Sequence, residues 1–431
     1  PATAVAENGF TVDAIFQQQV ASNTAAFAQF TPTAELYLPG GQPPAVGSTQ
    51  RNPHLAETYR QIAQQGVGAF YAGPIASDIV DTVQHPPVAD APAQSWPYQI
   101  RPGGMTEADL AGYDVRFPEP THSAYRGYDV YGMSTPSSGG TAVGEALNIL
   151  ERFDLRRAST TEALNLYLDA SALAYADRNA YVGDYTDRTV LHELLSDRYA
   201  ATRACLLDPD SALAKPTKPG DPDGPHGGAC RTAAAAAATD NGRSTTNLTV
   251  ADRWGNVVEY TLTIEQIGGN AMVVPDRGFL LNNELTDFNF TPTSPTDPNL
   301  PAPGKRPRSS MSPTIVLDHG EPFLALGSPG GASIITTVLQ ILFNRIDRGM
   351  SLPEAMAAPR ASQRNSIAPQ AEPAFIAAYG AALTALGQPA FVSTAELGAA
   401  TAIEFQQHDL LVATAEPVRR GGGAAGVLTP A

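Results

Sequence analysis

The stretch "SPTIVLDHGEPFLALGSPGGASIITTVLQ" (residues 312–340) predicts an α/β fold. Its first half contains two β-rich runs separated by an Asp-His-Gly turn, and its second half is an apolar run that indicates a buried helix. Between them lies GSPGGAS, a turn with three glycines. Glycine permits a positive φ or the close approach of another group to the backbone. The residues alone leave three candidates for that group: a phosphate, a substrate oxyanion or another strand.

Composition narrows the class of protein. The chain has 431 residues, of which 43% are hydrophobic, so it is long enough for one large α/β unit or two to three domains and is not disordered. The net charge of −16, with 27 Lys and Arg, argues against nucleic acids and anionic membrane surfaces as partners. No transmembrane helix is expected, because apolar runs are too short. We also expect any signal peptide to be removed or not included.

A change of character at residue 245 divides the chain. Residues 208–244 are rich in Pro, Gly, Asp and Ala, which predicts an exposed, mobile linker. The sequence then changes to "TTNLTVADRWGNVVEYTLT" (residues 245–263), two β-rich runs joined at residues 252–256, which predicts a hairpin. Residues 277–288 predict a further strand and turn. Upstream, Thr106 and Asp109 stand in N-cap and N3 positions and predict the start of a helix.

Two cysteines, Cys205 and Cys230, flank part of the low-complexity region. One reading is a disulfide that pins a loop, which suits an exported, periplasmic or secreted protein. The other reading is two unrelated free thiols. The seven histidines include no His-x-x-x-His pair, so no metal site is expected.

Several ordered blocks resemble the γ-glutamyltransferase (γ-glutamyltranspeptidase, glutathione hydrolase) family. In the second half they are "TTNLTVADRWGNVV", "GFLLNNELTDF", "GKRPRSSMSPTIV", "GSPGGASIITTVLQ" and "EAMAAPR". In the first half they are "GGMTEADLAGYDV", "YRGYDVYGMSTPSSGGTAVGEALNILE" and "AYADRNAYVGD". The tail "AEPVRRGGGAAGV" is also similar to the family's C-terminal element. A single GSPGG would be weak support, but this ordered set extends over nearly the whole chain.

The resemblance implies an N-terminal-nucleophile hydrolase with a four-layer αββα sandwich. Members of this family cleave their own precursor just before a threonine, which corresponds here to the bond between Ser244 and Thr245. Residues 1–244 would then form the large-subunit portion, with the linker at its end, and residues 245–431 the small catalytic subunit. The two subunits of one precursor are therefore expected partners, and neither a metal nor a cofactor is expected.

The resemblance assigns the catalytic groups residue by residue. Thr245 would be the nucleophile, with its freed α-amine as the base, since that amine has a pKa of about 7.7–8.0 in model compounds. Thr263 matches a threonine whose hydroxyl orients the nucleophile. Gly330 and Gly331 match the oxyanion hole, where one backbone N–H donor typically lowers the activation free energy by about 3–4 kcal/mol. A phosphate loop is disfavoured because no Gly-Lys-Ser/Thr follows.

The resemblance also suggests how an amino-acid substrate is held. Ser309 and Ser310 match the pair that bonds the substrate α-carboxylate, and Asp287 matches the acid that holds the α-ammonium. Glu284 stands where the family has Glu or Gln near that ammonium. Glu265 stands where many members have asparagine, and its consequence for substrate choice is open.

Two departures from the family pattern bear on the substrate. The family's α-carboxylate-binding arginine comes from a further N-terminal stretch, which this chain lacks or which is not included in the sequence, so that arginine is not assigned. The segment between Asp287 and Ser309 is shorter than the usual lid loop, which favours a more open pocket.

The expected activity is hydrolysis or transfer of γ-glutamyl amides through a γ-glutamyl-threonine ester, with water or an amine as acceptor. Two alternatives remain. One is a related acylase of the cephalosporin/glutaryl type or a poly-γ-glutamate-handling enzyme. The other is an unprocessed, inactive homologue with a binding role.

Overall fold

The computed structural model describes residues 1–224, 245–406 and 410–429, and the chain forms two compact units. Unit 1 consists of Pro1–Phe117 and Ile264–Glu284. Unit 2 consists of Pro118–Thr263 and Leu285–Ala431. Each unit therefore takes residues from both sides of the expected subunit boundary at Thr245.

Unit 1 is mainly helical. Its helices are α1 Ala2–Asn8, α2 Ala14–Ser22, α3 Thr24–Phe27, α4 Thr31–Tyr37, α5 Pro53–Gln65, α6 Gly68–Tyr71, α7 Pro74–Gln84 and α8 Glu107–Ala111, and its short strands are β1 Phe10–Thr11 and β2 Thr49–Gln50. The segment 264–284 packs among these helices. Thr33 Oγ1 donates to the Ala271 carbonyl at 2.8 Å, and Asn52 Nδ2 donates to the Gly278 carbonyl at 2.6 Å.

Unit 2 combines helices with strands. Its helices are α9 Gly139–Leu150, α10 Thr160–Tyr181, α11 Arg188–Leu194, α12 Asp197–Ala204, α13 Ser333–Leu342, α14 Leu352–Ala357, α15 Pro373–Phe375 and α16 Ala381–Ala385. Its strands are β3 Thr121–Tyr125, β4 Tyr128–Gly132, β5 Thr246–Ala251, β6 Val257–Leu262, β7 Thr314–Asp318, β8 Glu321–Gly327, β9 Ala361–Ser362, β10 Gln370–Ala371, β11 Val392–Ser393, β12 Thr401–Gln406 and β13 Leu410–Ala415.

Six of these strands form one sheet in the order β13-β12-β8-β7-β4-β3, with every neighbouring pair antiparallel. The predicted turn between β7 and β8 is present, and His319 and Gly320 both have positive φ there. β5 and β6 form a separate two-stranded antiparallel sheet.

The helices and the β5–β6 hairpin lie on opposite faces of the six-stranded sheet. Leu324 and Leu326 of β8 belong to the main hydrophobic core with α9, α10 and α13. Gly327, the next residue, lies against Asn247 and Glu259 of the hairpin. Successive side chains of a strand point to opposite faces, so unit 2 is layered as helices, sheet and hairpin. This layering agrees with the predicted α/β class.

The hairpin has an unusual distribution of side chains. Its outward face carries exposed apolar residues, namely Leu248, Val250, Val258, Tyr260 and Leu262. Its inward face carries the polar residues Asn247, Thr249, Glu259 and Thr261, with Ala251 and Val257 next to the turn. A half-buried sheet normally buries its apolar face, so the hairpin departs from the usual pattern.

Most predicted elements are present, with one correction. The hairpin at 245–263 and the capping box formed by Thr106 and Asp109 are confirmed. The strand predicted within 277–288 is wrong. Its apolar residues Phe279 and Leu281 pack onto the helices of unit 1, and only an isolated bridge joins Val273 and Leu280. A 3-10 helix, Glu284–Asp287, follows.

The beginning of the predicted linker is held in place rather than exposed. The buried Lys215 ammonium pairs with Asp169 and also donates to Gln388 Oε1 at 2.9 Å. Thr217 exchanges two hydrogen bonds with the Asn365 side chain, at 2.7 and 2.8 Å. The Gly220 N–H donates to Asp177 Oδ1 at 2.6 Å. The composition of this stretch predicted a mobile linker. Hydrogen bonds and an ion pair with side chains distant in the sequence hold its beginning in place instead.

Among the described residues, no helix has both the length and the apolar character needed to cross a membrane.

Candidate active site

The β5–β6 hairpin places Thr245 immediately before its first strand. The turn that closes the hairpin is built by Asp252, whose Oδ1 accepts from the Trp254 and Asn256 N–H groups at 2.9 and 3.0 Å. Gly255 supplies the positive φ, 83°, that this turn requires. In the resulting register Asn247 lies opposite Thr261, and Thr249 opposite Glu259.

The two predicted catalytic threonines lie side by side on the inward face. Thr245 Oγ1 is 3.3 Å from Thr263 Oγ1 and donates a hydrogen bond to it. The pair continues the hairpin register by one step beyond Asn247 and Thr261. A hydroxyl held in this way has a fixed direction, which is what a nucleophile needs for a defined angle of attack.

Asn247, two residues after Thr245, organises the polar inward face. Its Nδ2 donates to Glu259 Oε1 at 2.6 Å and to Thr401 Oγ1 at 2.8 Å. Its Oδ1 accepts from Thr261 Oγ1 at 2.7 Å. These bonds tie the start of β5 to β6 and to β12.

Glu259 is the titratable group of this polar face. Burial between the hairpin and the six-stranded sheet raises its pKa to about 8. The carboxyl is therefore mainly protonated at neutral pH. A neutral carboxyl avoids the cost of an unpaired buried charge.

The predicted oxyanion turn begins beside this hairpin. A Cβ on Gly327 would lie 2.2 Å from Glu259 Oε1 and 2.4 Å from Asn247 Oδ1, so only glycine allows this contact. Gly330 and Gly331 follow, with φ of 149° and 59°. The turn is stabilised where α13 begins, because Ser333 Oγ donates to the Gly330 carbonyl at 2.8 Å. The turn thus starts at Gly327, beside Asn247 of β5, and is fixed by Ser333 where α13 begins.

The serine pair is anchored by residues that sequence reasoning left out of the site. The Ser309 carbonyl accepts from the Ser138 N–H at 3.0 Å and from Ser138 Oγ at 2.8 Å. Arg178, on α10, donates from Nε to Ser138 Oγ and from Nη2 to Ser310 Oγ, both at 2.8 Å. Arg178 is 4% exposed. Both Ser138 and Arg178 lie in sequence blocks that carry the family resemblance, and these blocks are the sequence feature from which the two residues could have been found.

Asp287 connects to the same region through Asn299. Asn299 Nδ2 donates to the Asp287 carbonyl at 2.6 Å, and its Oδ1 accepts from the Arg308 N–H at 2.9 Å. Arg308 immediately precedes Ser309. Asn299 is buried, so it fixes the backbone of Asp287 relative to the serine pair without help from solvent.

The remaining two predicted acids belong to unit 1 and form a local pair. Glu265 is buried, has a positive φ of 71° and accepts a hydrogen bond from the Asn283 side chain. Burial and the neighbouring Glu265 raise the pKa of Glu284 to about 7. The resemblance alone connects this pair with the ammonium site.

The predicted cleavage and disulfide concern residues that are only partly described. Ser244 and Cys230 lie outside the described residues, while Thr245 lies within them. Cys205 is the C-cap of α12. Both predictions therefore stay predictions.

No group of three or more His, Cys, Asp or Glu residues suited to a metal ion occurs in the described part of the chain.

Comparison with protein families gives one match over nearly the whole chain. The family model described as Gamma-glutamyltranspeptidase matches residues 1–426. This agrees with the family resemblance carried by the sequence blocks.

Curated relatives bear the names of two kinds of enzyme. The chain is 38% identical over 364 residues to a glutathione hydrolase proenzyme of Bacillus subtilis (strain 168), covering 84% of this chain and 59% of the relative. The corresponding proenzyme of Escherichia coli (strain K12) is 35% identical over 375 residues, again with 59% of its length covered. An acylase ACY 1 proenzyme of Pseudomonas sp. (strain SE83) is 31% identical over an alignment of 435 positions, which covers 99% of this chain and 71% of the relative.

Among solved structures, the cephalosporin acylase from Bacillus halodurans superposes with a TM-score of 0.81 at 25% identity. The match covers all of this chain and 74% of that chain. The chain thus spans about three fifths of the length of the glutathione hydrolase proenzymes and about three quarters of the acylase.

Proposed function

The chain belongs to the gamma-glutamyltranspeptidase family, and from this premise we propose that it hydrolyses or transfers γ-glutamyl amides with Thr245 as its nucleophile. One observation carries the proposal: the Thr245 and Thr263 hydroxyls are paired at 3.3 Å on the polar face of the hairpin. The names of the Bacillus subtilis and Escherichia coli relatives support the substrate class.

The first step is the release of Thr245 as a new N-terminus. Cleavage of the bond between Ser244 and Thr245 produces a large and a small subunit from one precursor. The "proenzyme" names of the relatives support such processing. The freed α-amine then becomes available as a base next to the hydroxyl it serves.

The chemical cycle consists of acyl transfer to and from this hydroxyl. Thr245 Oγ1 attacks the γ-carbonyl carbon of the donor while its proton passes to the α-amine. The tetrahedral intermediate collapses, the C–N bond breaks and the leaving amine takes up that proton. Water or a second amine then attacks the γ-glutamyl ester and restores the hydroxyl. Each proton released is taken up again, so no further reactant is required.

The glycine turn fits the charge that develops on the carbonyl oxygen. We assign the N–H groups of Gly330 and Gly331 as donors to this oxyanion, since two consecutive glycines leave room for the acyl group. The contact of Gly327 with Asn247 supports the assignment, because it brings the beginning of the turn to the strand that Thr245 starts.

Recognition of the donor rests on two groups of residues in unit 2. Ser309 and Ser310 would donate to the α-carboxylate, and Asp287 would accept from the α-ammonium. Their link through Asn299 supports a shared role, since it holds both groups at a fixed separation. We also propose that the protein is exported, which a disulfide between Cys205 and Cys230 would suit.

A second candidate is an acylase that accepts other acyl groups. The Pseudomonas acylase matches 99% of this chain, whereas the two glutathione hydrolase proenzymes match 84%. Glu265, which replaces the family's usual asparagine, also keeps this candidate open. Both candidates use the same nucleophile and differ in the charge of the acyl group.

The deciding experiment compares two chromogenic anilides that differ only in the α-ammonium. The proposed function predicts that the purified protein has a higher kcat/KM for the γ-glutamyl than for the glutaryl anilide. Thr245→Ala should abolish activity, and Thr246→Ala, which changes the exposed neighbour on the opposite face of β5, serves as the matched control. A preference for the glutaryl anilide would favour the acylase.

A further inference from the structure

Arg178 is a buried arginine that bonds two serines at once. Its guanidinium spans from Ser138 Oγ to Ser310 Oγ, at 2.8 Å to each. The ring of Tyr175, one turn earlier on α10, lies beneath it, with the guanidinium carbon 5.5 Å from the ring centroid. The fork geometry of arginine fixes the relative position of both hydroxyls, which a lysine could not do.

The direction of the protons follows from these bonds. A guanidinium can donate but never accept, so both serine oxygens are acceptors toward Arg178. Ser138 then uses its own proton to donate to the Ser309 carbonyl at 2.8 Å. The Ser310 proton is likewise excluded from the Arg178 side and must point to another acceptor. A charge-assisted bond into its oxygen also strengthens the hydroxyl as a donor.

We propose that Arg178 is a positioning residue that fixes Ser310 as a hydrogen-bond donor to the α-carboxylate of the substrate. This inference rests on the proposed function, since it needs a donor that carries that carboxylate. Arg178 acts through Ser310 and, by way of Ser138, also holds the Ser309 carbonyl. Arg178 thus determines specificity for the carboxylate through these serines.

The test compares a γ-glutamyl anilide with a 4-aminobutanoyl anilide, which keeps the ammonium and lacks the carboxylate. Arg178→Lys retains the positive charge and loses the planar guanidinium that donates to both serine hydroxyls. We expect it to lower kcat/KM for the γ-glutamyl anilide by about 10- to 100-fold, mainly by raising KM. The kcat/KM for the 4-aminobutanoyl anilide should change by less than about threefold.

A matched control separates positioning from general stability. Arg203 on α12 is also buried, and it pairs with Asp177 at 2.8 Å instead of with the serines. Arg203→Lys should change kcat/KM for both anilides by a similar factor. If Arg178→Lys does not fold, Ser138→Ala provides a second comparison, because it removes the Nε acceptor that helps to orient Arg178 toward Ser310, together with the Ser138 bond to the Ser309 carbonyl. It should lower kcat/KM for the γ-glutamyl anilide more than for the 4-aminobutanoyl anilide.

A double-mutant cycle completes the test. In a Ser310→Ala background, Arg178→Lys should lower kcat/KM for the γ-glutamyl anilide much less than it does in the wild type, because its main action passes through Ser310. Parallel losses for both donors, or additive effects in the cycle, would overturn the inference while the proposed function stands. A wild-type enzyme that does not distinguish the two donors would refute the proposed function, and the inference with it.

Discussion

Replacing Glu259 with glutamine should stabilise the protein at alkaline pH and leave its stability nearly unchanged at acid pH. Burial raises the pKa of this carboxyl from 4.5 to about 8 in the folded protein. Between these values the unfolded chain releases the Glu259 proton and the folded chain keeps it. Stability therefore falls as pH rises through this window, because the unfolded state binds fewer protons.

The size of the effect follows from the same shift. Each tenfold change in proton affinity corresponds to about 1.4 kcal/mol, so the free energy of unfolding should differ by up to roughly 5 kcal/mol above pH 8. Glutamine keeps an oxygen at the position that accepts from Asn247 Nδ2. The variant thus removes the ionisation and preserves the hydrogen bond.

Urea unfolding at about pH 5 and about pH 9 measures this difference. Both proteins should carry Thr245→Ala, so that the unfolding chain stays in one piece. Glu321→Gln, at the exposed beginning of β8, is the matched control and should show no such dependence on pH. An equal stability difference between Glu259→Gln and the parent protein at both pH values would show that the Glu259 carboxyl does not have this raised pKa in the folded protein.

Three further results are expected. Asp287→Ala should lower kcat/KM for a γ-glutamyl anilide by about 30-fold or more and leave kcat/KM for a glutaryl anilide nearly unchanged, since only the first has an ammonium. Equal losses of kcat/KM for both anilides would contradict the assignment of Asp287 to the ammonium. Activity should decline on the acid side as the Thr245 α-amine becomes protonated, and a flat profile of the acylation step would count against the amine as base. Non-reducing peptide mapping should find Cys205 joined to Cys230, a result that two alkylated thiols would exclude.

The sequence predicted those parts of the fold that depend on short-range patterns. The hairpin turn at Asp252, the capping box at Thr106 and the strand-turn-strand around His319 each have local signals, and each is present. The glycine turn before α13 belongs with them, because its positive φ angles require glycine at residues 330 and 331.

Other features arise from contacts between distant segments and have no local signal. Lys215 stands in a low-complexity stretch, yet it is buried because Asp169 and Gln388 meet it from elsewhere in unit 2. The apolar run at Phe279 suggested a strand but packs onto helices instead. Local composition cannot reveal which partner a segment will find.

The candidate site shows the same limit. The resemblance supplied Thr245 and Ser310, because their motifs stand out in the sequence. Arg178 and Asn247 became visible only through the side chains they bond. Both lie in blocks that carry the family resemblance, but those blocks alone do not show which side chains they bond.

That Thr245 becomes an N-terminal nucleophile is a claim that N-terminal sequencing and denaturing mass spectrometry can check in one experiment. We expect two fragments from the wild-type protein, one of them beginning Thr-Thr-Asn-Leu, and a single intact chain from Thr245→Ala. A wild-type chain that stays intact between residues 244 and 245 while it hydrolyses a γ-glutamyl anilide would contradict the claim.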